Sequence, residues 1–167
     1  ELGIRTIFNL LGPLSNPAAA KYQLMGVFDD KWLTPLAETL KGLGSQKAWV
    51  VHGSDGLDEI TTTGPTSVAA LEDGTVRRFD VSPEDAKLPR AKPEDLRGGT
   101  PKENAAAMKA LLSGEKSAYR DIVVLNSAAG LIVAGQAEDL ENGARMAEQA
   151  VDTGKAKAAL DKLIEIS

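Results

Sequence analysis

A short acidic segment, Asp55 to Glu59, holds the side chains in this sequence that are best suited to chemistry. It contains the carboxylates of Asp55, Asp58 and Glu59, and Mg²⁺ is commonly bound by one or two carboxylates together with waters and substrate phosphates. The segment follows an apolar run, Ala48 to Val51, that predicts a buried strand, and open α/β sheets bind ligands at the carboxyl ends of their strands. Two interpretations remain open from this pattern: a magnesium site, or a solvated acidic loop that caps the next element.

Arg5 is a second candidate, because it is a lone cation in an apolar neighbourhood beside Ile4 and Ile7. A planar guanidinium suits bidentate binding of a carboxylate or a phosphate. The same residue type at a helix end also binds backbone carbonyl groups. The spacing alone does not separate a substrate contact from that structural role.

Two glycine-containing turns are further candidates. The segment Gly12 to Pro17 contains two prolines and predicts a rigid turn, which either lines a substrate channel or is purely structural. Gly98 and Gly99 precede a predicted helix start, where free amide groups attract phosphate, but Thr100 also explains this start as a helix cap. His52, the single histidine, is interpreted as structural.

Composition excludes several classes of protein. Without cysteine there is no disulfide scaffold, thiolate zinc site, iron–sulfur cluster or cysteine nucleophile. A net charge of −5 argues against a nucleic-acid partner, and no apolar run approaches the roughly 18 residues that a membrane span needs. We therefore expect a soluble, cytoplasmic α/β protein with neither a nucleic-acid nor a membrane partner.

The elements that must position these residues follow from hydrophobic patterning. Tyr22 to Phe28 predicts a strand, Asp30 to Leu43 an amphipathic helix, and Ala48 to Val51 a second strand, which together form a parallel βαβ unit. Asp73-Gly74 predicts the turn of a hairpin between two further strands. The remaining predicted elements are a short helix at 6–11, a loop at 82–99, and helices at 101–112, 119–135, 138–152 and 155–165.

Four sequence motifs together resemble anthranilate phosphoribosyltransferase. The longest is LGIRTIFNLLGPLSNP at Leu2 to Pro17, and GSDGLDE follows at Gly53 to Glu59. The Leu125 to Ala129 run and the closing Gly154 to Ile166 helix are also similar to that family. The resemblance spans the whole chain.

The resemblance implies a fold and an activity. The fold is the α/β catalytic domain of nucleoside phosphorylases and phosphoribosyltransferases, with a parallel βαβ core plus a hairpin, covered by helices. The activity is magnesium-dependent transfer of phosphoribosyl from phosphoribosyl pyrophosphate to anthranilate in tryptophan biosynthesis, by a homodimer. Asp58 and Glu59 would hold Mg²⁺, and Arg5 would bind the anthranilate carboxylate.

The sequence departs from the family at its phosphate-binding loops. The family's Gly-Thr-Gly-Gly-Asp and Lys-His-Gly-Asn segments and its amino-terminal helical domain do not occur in these 167 residues. We therefore expect residues 1–167 to be the carboxyl-terminal portion of a single catalytic domain, truncated and inactive alone. Three alternatives remain: a pyrimidine nucleoside phosphorylase, a non-catalytic nucleic-acid-binding homologue of the same fold, and a purely structural fragment.

Overall fold

The computed structural model describes Gly12, Leu14 and residues 20–167. Within that part of the chain, one sheet has the strand order β1-β2-β3-β4, with β1 and β2 parallel and the other neighbours antiparallel. The strands are β1 (Tyr22–Gly26), β2 (Lys47–Gly53), β3 (Thr66–Glu72) and β4 (Thr75–Val81). The helices are α1 (Leu33–Gly42), α2 (Pro101–Leu112), α3 (Ala118–Val133), α4 (Leu140–Asp152) and α5 (Lys155–Ile166).

The parallel pair is joined by α1, as the periodicity predicts. The apolar residues that recur at helical spacing in α1 are all buried: Leu33, Leu36, Ala37 and Leu40. A short 3₁₀ turn, Asp30–Trp32, precedes the helix, and Gly44, with a φ of 90°, follows it where the chain turns back towards β2. Because β1 and β2 run in the same direction, their carboxyl ends, Gly26 and Gly53, lie at the same edge of the sheet.

The second half of the sheet is a hairpin with its turn at Asp73-Gly74. Both residues have positive φ, 48° and 71°, which is the conformation that a two-residue turn between twisted strands requires. The register Glu72 opposite Thr75 leaves those two residues between the strands. The prediction of this hairpin is confirmed.

Alternation along the strands divides the core into two layers. In β2, Ala48 and Val50 contribute to a cluster shared with α1, whereas Trp49 and Val51 contribute to a cluster shared with α3 and α4. Trp32 packs against the first cluster, the α1-side layer. Trp49 packs edge-on against Phe79 in the second, the α3–α4-side layer, with ring centroids 5.3 Å apart.

The last third of the described chain is helical, and the predicted helices are confirmed with small shifts of their ends. The loop predicted at 82–99 contains two single-turn 3₁₀ segments, Pro83–Ala86 and Pro93–Leu96. A cap explains the start of α2, because the Thr100 hydroxyl accepts from the Glu103 N–H while the Glu103 carboxylate accepts from the Thr100 N–H. The short helix predicted at 6–11 lies outside the described residues.

Candidate functional site

The acidic segment lies in the β2–β3 loop, residues 54–65, at the carboxyl ends of the parallel strands. The loop folds back over the last residue of β1, and a Cβ placed on Gly26 would overlap the carbonyl oxygen of Asp58. Within the loop, the Gly53 N–H donates to Leu57 O at 2.9 Å and the Ser54 N–H donates to Pro65 O at 3.0 Å. A glycine at the end of β1 therefore permits the loop to bring Asp58 against the sheet edge.

Asp55 is the carboxylate that holds this loop together. Its Oδ2 accepts hydrogen bonds from the hydroxyls of Thr61 at 2.6 Å and Thr63 at 2.7 Å, and its Oδ1 accepts from the Leu57 N–H at 3.2 Å. Desolvation opposes ionisation of this group, but the hydrogen bonds outweigh it and keep the pKa of Asp55 below its usual range. Asp55 is therefore occupied by the protein's own donors.

Asp58 and Glu59 differ from Asp55 in having no such donors. Both side chains are exposed, and neither forms a hydrogen bond or ion pair with another residue in the described part of the chain. Desolvation and the adjacent negative charge of Asp58 raise the pKa of the Glu59 carboxyl above its ordinary value. This pair is thus an uncompensated concentration of negative charge at the sheet edge.

The pair has the chemistry of a magnesium site that substrate completes. Among the described residues, no group of three or more His, Cys, Asp or Glu side chains is arranged to hold a metal ion. Two neighbouring carboxylates with free oxygens fit Mg²⁺, which keeps several waters and takes further oxygens from phosphates. Asp58 and Glu59 therefore fit the ion as a partial ligand set.

Asn126 of α3 completes the support of the loop, and the sequence reasoning missed its role. Its Oδ1 accepts from the Ile60 N–H at 3.0 Å, and its Nδ2 donates to Ile60 O at 2.8 Å. Ile60 is fully buried in the α3–α4-side layer. The only sequence signal was the position of Asn126 inside the Leu125 to Ala129 run, because the two partners are 66 residues apart.

The remaining candidates have different outcomes. Arg5 lies outside the described residues, and of Gly12 to Pro17 only Gly12 and Leu14 are described, with Leu14 packed against the α1-side layer. At the start of α2, Asn104 Oδ1 accepts from the Gly99 N–H at 2.8 Å, so that amide already has a protein partner. The capping interpretation of this segment is therefore confirmed.

His52 lies at the end of β2 and is tied to the neighbouring chain segment. Its Nδ1 lies 2.8 Å from Val27 O, an acceptor just beyond the end of β1. Donation to that carbonyl places the imidazole proton on Nδ1 and fixes the orientation of the ring. This contact supports the structural interpretation of His52.

In residues 20–167, no helix combines the length and apolar character that crossing a bilayer requires.

The comparisons with known proteins agree with these motifs. The sequence model of the glycosyl transferase family, a/b domain, matches residues 1–157. The anthranilate phosphoribosyltransferase of Methylocella silvestris is 62% identical over 167 residues, which are the whole of this chain and 48% of that protein. The chain thus spans about half the length of the curated relatives it matches.

Solved structures show the same fold. The anthranilate phosphoribosyltransferase of Thermus thermophilus superposes with a TM-score of 0.87 and 42% identity, over 96% of this chain and 47% of that one. The Saccharomyces cerevisiae enzyme, solved with PRPP and Mg and also with 4-fluoroanthranilate, gives a TM-score of 0.89 and 26% identity over 98% and 48%. The predicted α/β fold and the resemblance to anthranilate phosphoribosyltransferase are confirmed, and the chain belongs to the glycosyl transferase family, whose a/b-domain model matches residues 1–157.

Proposed function

We propose that this chain is part of an anthranilate phosphoribosyltransferase, which transfers phosphoribosyl from phosphoribosyl pyrophosphate to the amino nitrogen of anthranilate in tryptophan biosynthesis. The observation that carries the proposal is the free Asp58–Glu59 pair at the carboxyl end of β2, within a sequence 62% identical to a relative of that name over the whole chain. The complexes of the yeast enzyme with PRPP and Mg and with 4-fluoroanthranilate support both substrates and the metal.

The roles of the residues follow from their charges. Asp58 and Glu59 hold Mg²⁺, and Arg5 pairs with the anthranilate carboxylate through its guanidinium fork. When bound, the metal supplies neutralising charge for the pyrophosphate as it leaves the sugar carbon. Anthranilate is a weakly basic amine, so orientation by Arg5 contributes more than proton removal would.

The proposal extends to the organisation of the protein. Residues 1–167 form the carboxyl-terminal portion of a single α/β catalytic domain, and the donor-binding loops lie in another part of the protein. The complete protein is a cytoplasmic homodimer. The chain covers 48% of the length of one relative, which supports the assignment of the donor-binding loops to another part of the protein.

Magnesium binding by the 167-residue chain tests the metal pair. We expect Asp58→Asn and Glu59→Gln each to weaken Mg²⁺ affinity about tenfold or more, because the charge of the ligand set governs affinity for hard cations. Glu115→Gln is the matched control, since Glu115 is also exposed and has no side-chain partner among the described residues. Titration with Mg²⁺, followed by NMR, measures the wild type, the three single variants and a variant that carries both Asp58→Asn and Glu59→Gln. Unchanged affinity in that double variant would contradict the assignment.

Turnover tests the reaction. In the protein that contains these 167 residues together with donor-binding loops, we expect Mg²⁺-dependent consumption of anthranilate and loss of most of that activity in Asp58→Asn. Phosphorolysis of a pyrimidine nucleoside, with no reaction of anthranilate, would instead support the phosphorylase alternative.

A further inference from the structure

Asn126 uses every hydrogen-bonding group of its side-chain amide. Besides the two bonds to Ile60, its Nδ2 donates to Ile122 O at 2.9 Å, one turn earlier in α3. A reversed amide would place an N–H group against the Ile60 N–H and an oxygen against two carbonyls, so only the observed orientation satisfies all three partners. The helix therefore presents a fixed donor–acceptor pair to one residue of the β2–β3 loop.

That residue is next to the carboxylate pair. Ile60 follows Glu59 directly, and its buried side chain anchors it in the α3–α4-side layer. On the other side of the pair, the Asp58 carbonyl lies so close to Gly26 that a side chain there would displace it. The backbone that bears the two carboxylates is thus hydrogen-bonded to α3 at residue 60 and lies against β1 at residue 58.

We propose that Asn126 is a positioning residue for magnesium, holding the backbone of Ile60 so that the Asp58 and Glu59 carboxylates meet the same ion. The inference rests on the proposed function, because it concerns the metal pair assigned there. Two adjacent carboxylates repel each other, and a loop free to relax would separate them. The hydrogen bonds between Asn126 of α3 and the Ile60 backbone oppose that relaxation, and they leave the carboxylate oxygens of Asp58 and Glu59 free to bind the ion.

The first test compares Asn126→Ala with Asn104→Ala in the 167-residue chain. Asn104 makes the same two-bond contact with the backbone of Gly99, at 2.8 Å and 3.3 Å, where the loop at 82–99 meets α2. Both substitutions should lower the midpoint of thermal unfolding. Only Asn126→Ala should weaken Mg²⁺ binding, by about tenfold, the lower end of the effect of removing a residue that orients metal ligands.

A second variant displaces the pair without touching Asn126. Gly26→Ala forces Asp58 away from β1, so it should also weaken Mg²⁺ binding while the Asn126–Ile60 contact remains. This variant tests the position of the pair, and if Asn126→Ala fails to fold, the wild-type measurement below tests the role of Asn126.

The wild-type chain provides a test that needs no substitution. If the Ile60 contact favours Mg²⁺ binding, then bound Mg²⁺ must favour the contact to the same extent. Hydrogen exchange of the Ile60 amide should therefore slow about fivefold at a free Mg²⁺ concentration of about ten times Kd, and should approach a slowing of about tenfold at saturation. The Gly99 amide, which Asn104 binds in the same manner, should not change.

The outcomes separate this proposal from the proposed function. Mg²⁺ binding that is weakened by Asp58→Asn but unchanged in Asn126→Ala, with no protection of Ile60, overturns the positioning role alone. Binding that is insensitive to Asp58→Asn overturns the metal assignment. A wild-type chain that binds no Mg²⁺, either alone or with inorganic pyrophosphate present, counts against both.

Discussion

At the scale of single residues, the three carboxylates of the β2–β3 loop differ in whether they accept hydrogen bonds from the protein. Asp55 accepts hydrogen bonds from two hydroxyls and a backbone N–H, and both of its oxygens are engaged by these donors. Asp58 and Glu59 have no donors among the described residues and keep their oxygens free. A carboxylate that stabilises the loop thus lies within four residues of two that are open to a ligand.

Substitution of Asp55 should therefore affect stability. We expect Asp55→Asn to lower the free energy of unfolding by about 1–2 kcal/mol, because the Thr61 and Thr63 hydroxyls lose a charged acceptor. Asp58→Asn is the matched control in the same loop and should change stability by less than about 0.5 kcal/mol. Urea unfolding at neutral pH measures both, and equal effects would contradict this division of roles.

The same variant should show a pH dependence of defined sign. Because the pKa of Asp55 is lowered in the folded chain, its stabilisation is complete above the ordinary carboxyl pKa of about 4 and is lost as pH falls through the folded-state pKa. The difference in unfolding free energy between wild type and Asp55→Asn should therefore shrink on acidification. A difference that stayed constant from about pH 7 to about pH 2 would contradict the role of the charge.

At the scale of secondary-structure elements, a glycine sets how closely α3 and α4 approach. A Cβ on Gly143 of α4 would lie 2.9 Å from the Ala128 backbone of α3, closer than atoms pack. Gly130 of α3 differs, because a Cβ there would meet nothing within 4 Å. Gly143 therefore permits the close contact between α3 and α4, whereas Gly130 has open space where a side chain would lie.

Alanine substitution should separate them. Gly143→Ala should cost about 1–3 kcal/mol of unfolding free energy, because the helices must move apart. Gly130→Ala should instead stabilise by up to about 1 kcal/mol, since alanine favours a helix over glycine. Urea unfolding of the two variants measures the sign of each change in unfolding free energy. Destabilisation by Gly130→Ala would contradict the expectation that a methyl group fits at this position.

Local sequence patterns predicted these helices and turns well, but they did not predict contacts between residues that are distant in the sequence. Residues close in sequence determine the apolar spacing in α1, the Asp73-Gly74 turn and the Thr100 cap. These features can therefore be predicted without knowledge of the fold. The Asn126–Ile60 contact joins residues 66 positions apart, and it exists only once α3 packs on the sheet. The carboxylates of Asp55 and Asp58 are likewise equivalent as residue types, and only the folded loop shows which one has donors.

At the scale of the whole molecule, the chain matches about half the length of its relatives. We expect the isolated 167-residue chain to show no turnover of anthranilate, because the carboxylate pair that we propose for Mg²⁺ would need substrate phosphates to complete the metal shell, and the family's phosphate-binding loops are not in this sequence. Anthranilate consumption with phosphoribosyl pyrophosphate and Mg²⁺ measures this, with the intact mass of the sample as the control. Turnover at rates typical of enzymes by a sample of 17.6 kDa would contradict the expectation.

The two tryptophans give this molecule an optical probe on each side of its sheet. Trp32 reports on the α1-side layer, and Trp49, against Phe79, reports on the α3–α4-side layer. Because the chain has only these two, their fluorescence in single-tryptophan forms follows each layer separately during unfolding. Coincident transitions would mean that the two layers unfold as one cooperative unit. Separate transitions would mean that one layer can unfold while the other stays packed on the sheet.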